Sequence, residues 1–279
     1  MAAIAAIASF AAAPANAAER IPLAEVSHIH GIAVDPRDPS RLFLATHYGV
    51  YLAASDGMAG RVSDNTNDYM GFTPHPSDAD ILYASGHPAG GGNMGVIVSR
   101  DGGASWQQLS AGVGGPVDFH AMDVSAADPN VIYGLYGEIQ VSRDGGRSWE
   151  IAGAPPADVF DLAASALDPN LVYAATRGGL MVSRDGAKSW QPTGPAGQPA
   201  TMVQVAPDGS VYAFAFGTGL IKASGAALSW QPINTDFGRL ALVHLAIDPT
   251  DPQRMFAVTN DGRILASADG GRSWAPLSP

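Results

Sequence analysis

Ser-Arg-Asp-Gly-Gly-Ala-Ser-Trp at Ser99–Trp106 and Ser-Arg-Asp-Gly-Gly-Arg-Ser-Trp at Ser142–Trp149 are two copies of one unit. Variants follow at Ser183–Trp190 (SRDGAKSW) and Ser267–Trp274 (SADGGRSW), and a decayed copy, ASGAALSW, ends at Trp230. All five tryptophans of the chain close such a box, at spacings of 43, 41, 40 and 44 residues. A period of that length marks a repeat architecture and supplies a register for comparing residues between repeats.

Outward from the box, each repeat holds a short apolar strand, a Pro-containing turn and a second strand. The turns include DPRDPS (35–40), HPSDAD (75–80), SAADPN (125–130), SALDPN (165–170), APDGS (206–210) and DPTDPQ (248–253). The second strands read RLFLATH, ILYASGH, VIYGLYG, LVYAATR, SVYAFAF and RMFAVTN. A third strand enters the box and a fourth leaves it. The first repeat has the strands without the box. Six units of four antiparallel strands predict an all-β, six-bladed β-propeller over residues 28–279, with Pro turns and boxes on one, lower, face. The box Asp is expected to bind loop N–H groups and the Trp to wedge between blades.

The chain resembles the Asp-box (BNR-repeat) propellers, the group of sialidases, sortilin-type receptors and photosystem assembly factors. The strings H-I-H-G, A-T-H-Y-G, M-G-F-T, S-G-H-P and D-F-H-A are similar to a bacterial exported subgroup labelled glycosylhydrolase-like. The resemblance implies the fold and leaves the activity open.

Residues 1–17, MAAIAAIASFAAAPANA, end in an Ala-x-Ala-like site and read as a secretory signal, although no Lys or Arg precedes the apolar run. Residues 18–27 form an N-terminal segment that could supply a ring-closing strand to blade six. The expected setting is periplasmic or secreted. There is no cysteine, hence neither a disulfide framework nor a thiolate metal site. A net charge of −11 without any Lys/Arg cluster argues against nucleic acid and anionic membranes as partners. A monomer without membrane insertion is expected, its partner a metal ion and beyond that an exported protein or a glycan.

The register places the histidines. On the first strands His30 aligns with Met70, His120, Phe160, Thr201 and Val243, while His28 aligns with Asp68, Asp118, Asp158, Pro199 and Ala241. At the ends of the second strands His47 and His87 stand where other repeats have Gly137, Arg177, Phe216 and Asn260. Both sets lie on the upper face, so His28, His30, His47, His87 and His120 converge on the channel mouth of blades one to three. Imidazole is the commonest metal ligand, and these five form the expected ligand set. Asp68, Met70 and Asp118 stand beside them, as ligands or as acceptors behind the rings, with Met94 on the loop after His87. Histidine with thioether favours copper, zinc next. His75 falls in a lower-face turn, and His244 is out of phase with the cluster by one residue. The bland alternative is a set of strand-end caps or anion donors.

Sialidase chemistry requires an arginine triad, a Glu-activated Tyr and an acidic Asp. Most of the 13 arginines belong to boxes or lower turns, leaving Arg177 on the upper rim. Of the four glutamates only Glu138, near Tyr136, reaches the mouth. Glu138 with Asp118 and Tyr136 is therefore a weak catalytic set for a glycoside hydrolase-like enzyme other than a typical sialidase. A protein-interaction scaffold is the remaining alternative, and it would present exposed aromatic or basic residues on the upper face.

Overall fold

The second strand of every repeat reads as an almost unbroken apolar run, where a half-exposed strand would alternate. In the computed structural model, which describes residues 20–224 and 228–277, the reason is that both faces of each second strand meet a neighbouring blade. Leu42, Phe43, Leu44 and Ala45 are all buried, as are Val172, Tyr173, Ala174 and Ala175. The fourth strands, such as Gln107–Ser110 and Glu150–Gly153, form the more exposed outer part of the blades. The signal expected over residues 1–17 lies outside the described residues.

Six antiparallel sheets make the ring, each running outward from an inner first strand to a fourth, beyond which blade one carries a fifth. Blade two, for example, orders Asp68–Pro74, Leu82–His87, Val96–Ser99 and Gln107–Ser110. The first strands of all six blades line a central channel of about 400 Å³. The chain is thus an all-β, six-bladed propeller.

Apolar packing lies between blades. Six clusters occupy the six blade interfaces, and five include a box tryptophan: Trp106, Trp149, Trp190, Trp230 and Trp274. Trp149 packs on Phe119 with ring centroids 4.9 Å apart and donates from Nε1 to Ser110 Oγ of the preceding blade. The box is a hydrogen-bonded knot. The Asp101 carboxylate accepts from Ser99 Oγ (2.8 Å), Ser105 N–H (2.9 Å) and Ser105 Oγ (2.6 Å). Equivalent bonds, led by the Ser148, Ser189 and Ser273 hydroxyls, pull the carboxyls of Asp144, Asp185 and Asp269 down to about 2. Box glycines donate backbone N–H to the Pro turn of their own blade, as Gly145 does to Asn130 and Gly186 to Asn170. Boxes and Pro turns therefore share the lower face.

The interface between blades six and one has no box tryptophan. The N-terminal segment fills it instead. Arg20–Pro22 pairs with Met58–Arg61 as a fifth, outermost strand of blade one. Leu23 and Val26 then bury against Val34, Leu42, Phe256 and Val258. The segment expected as a strand for blade six closes the ring by packing, and blade six forms its four strands from residues 242–276. No described helix is long and apolar enough to cross a membrane.

Candidate metal centre

At the upper mouth, five of the six first strands break register: at His30, between Met70 and Thr73, at Phe160, at Thr201 and at Val243. His120 immediately precedes the paired strand Ala121–Val124. A bulge leaves one residue unpaired and turns the chain, so the strict two-residue alternation fails there. In blades one, four, five and six the unpaired residue is the one at the His30 position; in blade two Met70 stays paired with Ser85 and the break falls just after it, at Gly71 and Phe72. The strand starts and the ends of the second strands meet on this face.

The first group joins blades one and two. Asp68, at the start of blade two, places Oδ2 2.8 Å from His47 Nδ1 of blade one. Its other oxygen, Oδ1, faces His30 Nε2 at 3.8 Å. Both of those atoms are buried and make no hydrogen bond within the protein. Burying polar atoms unpaired costs about 1–3 kcal/mol each. The separation is too long for a hydrogen bond, yet two ligand atoms about 2.0–2.2 Å from one ion can stand that far apart. One ligand atom from each of His30, His47 and Asp68 lies within 4.8 Å of the others. Burial holds His30 below the usual imidazole range; Asp68 opposes it with the next largest effect, and His47, His120 and His28 each add a weaker downward push. Its ring is thus kept neutral, the form a metal needs.

The second group joins blades two and three. Asp118, only 4% exposed in its side chain, takes His87 Nε2 at 3.0 Å and His120 Nε2 at 2.7 Å on one oxygen, Oδ2. Its Oδ1 is buried without a partner. His87 Nδ1 lies 2.8 Å from the Gly92 carbonyl, which can only accept, so Nδ1 carries a proton. In the neutral ring Nε2 then presents a lone pair toward a carboxylate, an arrangement that a cation between them satisfies. His87, Asp118 and His120 again bring one atom each within 4.8 Å. The hydrogen bond from Asp118 raises the pKa of His120, with burial opposing it.

The remaining expected residues fall outside these triads. His28 precedes the strand, has φ +53°, and packs edge-on against His47 with centroids 4.9 Å apart. Met70 is buried in blade two. Met94 packs at the interface of blades one and two, its sulfur accepting from Asn67. His75 accepts from Ser77 N–H in its turn, as a lower-face residue. Glu138 is exposed on the hairpin after Tyr136, whose hydroxyl accepts from Asn93. Asp118 is committed to two histidines, which removes it as an obvious partner for Glu138.

Three channel residues escaped the sequence reading. The bulge at Val243 turns His244 into the channel, where burial drives its pKa down to about 4. Asp123 and Asp161 also line the channel, and burial pushes them up to about 6 and about 8. They stitch blades together: Asp123 accepts from Thr73 Oγ1 and Ala164 N–H, and Asp161 accepts from Val203 N–H. The upper face also carries four exposed aromatics, Tyr48, Tyr136, Phe160 and Phe216. Phe160 and Phe216 occupy the positions that hold His30 and His47 in blade one, so the register could have found them.

No family model matches the chain, and comparison with curated proteins finds no match. Solved structures do resemble it. The GH74 xyloglucanase from Xanthomonas campestris aligns at 20% identity and TM-score 0.60, over 92% of this chain and 46% of that one. YCF48 from Cyanidioschyzon merolae aligns at 16% and 0.57, over 92% and 87%. YCF48 bound to D1 peptide aligns at 17% and 0.57, over 96% and 86%. The chain spans less than half the length of the GH74 enzymes it matches. At these identities the likeness shows the propeller fold alone.

Proposed function

We propose that this chain is an exported propeller that binds a transition-metal ion at the histidine-bearing half of its upper mouth and serves in metal handling. The reading is carried by one observation: His30 Nε2 and Asp68 Oδ1, both buried and unpartnered, oppose each other at 3.8 Å beside His47. Copper is the favoured ion, because Cu(II) is bound most tightly of the first-row divalent ions by an imidazole–carboxylate donor set, with zinc next. His30 and His47 would hold the ion. Asp68 would ligate through Oδ1 or orient His47 from behind. We also assign the four intact boxes to the Asp-box class, on the Ser–Asp–Ser knot they repeat.

The test is titration of metal-free protein with Cu(I), Cu(II) and Zn(II), beside a His30→Ala/His120→Ala variant. Wild type should bind and the variant should lose most of the affinity; equal, weak binding by both would refute the reading. Affinity should also fall between about pH 7 and pH 5, since ligand nitrogens must be unprotonated.

A second reading is favoured by the aromatic rim. Tyr136, Phe160 and Phe216 offer stacking surfaces for sugar rings, and one structural neighbour is a xyloglucanase. Glu138 is the carboxylate that would serve it. A glycoside screen with Glu138→Gln as control decides, since activity unchanged in that variant removes Glu138. The same rim would serve a scaffold that docks a protein segment, and the YCF48 structure with D1 peptide makes a peptide array the matching assay.

A further inference from the structure

The same construction is used twice at the mouth. An Asp at or just before the start of the first strand of one blade sits beside the His at the end of the second strand of the blade before it. Asp68 takes His47 across blades one and two, and Asp118 takes His87 across blades two and three. In each case a second histidine completes the group, His30 from blade one or His120 from blade three. Each carboxylate also keeps one oxygen, Oδ1, buried and without a hydrogen bond. One ion placed in either group would leave the other carboxylate oxygen orphaned. The orphan count therefore calls for two ligands.

We infer that the mouth holds two metal ions, one in each inter-blade pocket, and that the two pockets differ in how freely they exchange their ion. This rests on the metal-binding reading above. The blade one–two pocket is the more enclosed, with His30, His47 and Asp68 side chains 23%, 40% and 15% exposed. In the blade two–three pocket His87 and His120 are 41% and 64% exposed around the sunken Asp118. Only that carboxylate anchors it from below. An ion there keeps coordination positions facing solvent, where an incoming chelating ligand can bind before the protein ligands let go. The enclosed pocket retains its ion; the open one hands its ion on. The ligands it would accept are imidazole, carboxylate or thioether groups from another molecule.

The experiment uses the whole chain loaded with Zn(II), and separately with Cu(II). Metal content is measured after desalting, and release is followed into a chromophoric chelator. Wild type should carry two ions and release them in two phases that differ by about tenfold or more, the scale on which ligand surroundings alter metal affinity. Asp118→Asn should carry one ion and lose the fast phase; Asp68→Asn should carry one and lose the slow phase. His87→Gln leaves the buried carboxylate in place and should repeat the Asp118→Asn result, which guards against misfolding of that variant. A single ion in wild type, lost in either variant, would overturn the two-pocket inference and leave metal binding standing. Two ions released in one phase would overturn the division of labour. No ion in wild type would overturn both.

Discussion

Blades one to three and blades four to six share one backbone plan, yet their upper faces carry different chemistry. Where blades one to three place His30, His47, His87 and His120, blades four and five place Phe160, Arg177, Thr201 and Phe216. Asp158, the counterpart of Asp68 and Asp118, has Gly137 in the preceding blade where a histidine would be. It pairs instead with Arg177 of its own blade at 2.9 Å, with both side chains largely exposed. Such a pair contributes about 0–1 kcal/mol. The other two carboxylates are sunk among imidazoles with an oxygen unpaired. An aspartate at this position thus joins a His–Asp group only where the neighbouring blade supplies the ring.

The channel below carries buried titratable groups that depend on pH in opposite directions. Asp161, in blade four, is raised from 3.8 to about 8 by burial. A raised carboxyl stabilises the fold fully below its unfolded value and loses that contribution as pH climbs through 8. On the order of 5 kcal/mol is at stake in this group, and thermal unfolding of metal-free protein should show Asp161→Asn flattening the decline between about pH 4 and pH 8. His244, in blade six beside His30, runs the other way. Its pKa is depressed from 6.5 to about 4, so stability is full above 6.5 and is lost as pH falls toward 4. His244→Leu should remove an acid-side loss of about 3 kcal/mol, read from urea midpoints between pH 7 and pH 4. A variant pair that left both pH limbs unchanged would break this half of the comparison.

Smaller effects sharpen it at the blade seams. Leu23→Ala strips the N-terminal filling from the one seam lacking a box tryptophan and should cost about 2–4 kcal/mol in denaturant unfolding. At the seam of blades three and four, Ala187 takes the position of a box glycine with φ +69°. The nearby Trp190 Nε1 is buried without a hydrogen bond, whereas Trp106 and Trp274 donate to the glycine carbonyl at the equivalent place. Ala187→Gly should raise stability by about 1 kcal/mol, seen as a small rise in melting temperature.

The repeat was legible because it is written in residues with steric jobs: the Trp at the seam, the Pro in the lower turn, the Asp that gathers its own box. The alignment of His30 with Met70, His120 and Phe160 came from that ruler alone. Strict alternation by two puts His244 out of phase with the cluster, and the bulge at Val243 suspends that alternation. Asp123 and Asp161 were missed for a related reason: one carboxylate per strand carries no pattern, and their role appears only when neighbouring blades offer N–H groups across the channel. The grouping of five histidines into two triads plus His28 depended on which blade pairs meet. That is a tertiary fact with no local signature.

The central claim is that metal enters between His30 Nε2 and Asp68 Oδ1. Anomalous diffraction from crystals soaked in Cu(II) or Zn(II), collected at the metal edge, tests it most directly. The account predicts a peak within bonding distance of both atoms. Strong peaks confined to lower-face turns or the exposed rim, with none between those two atoms, would contradict it.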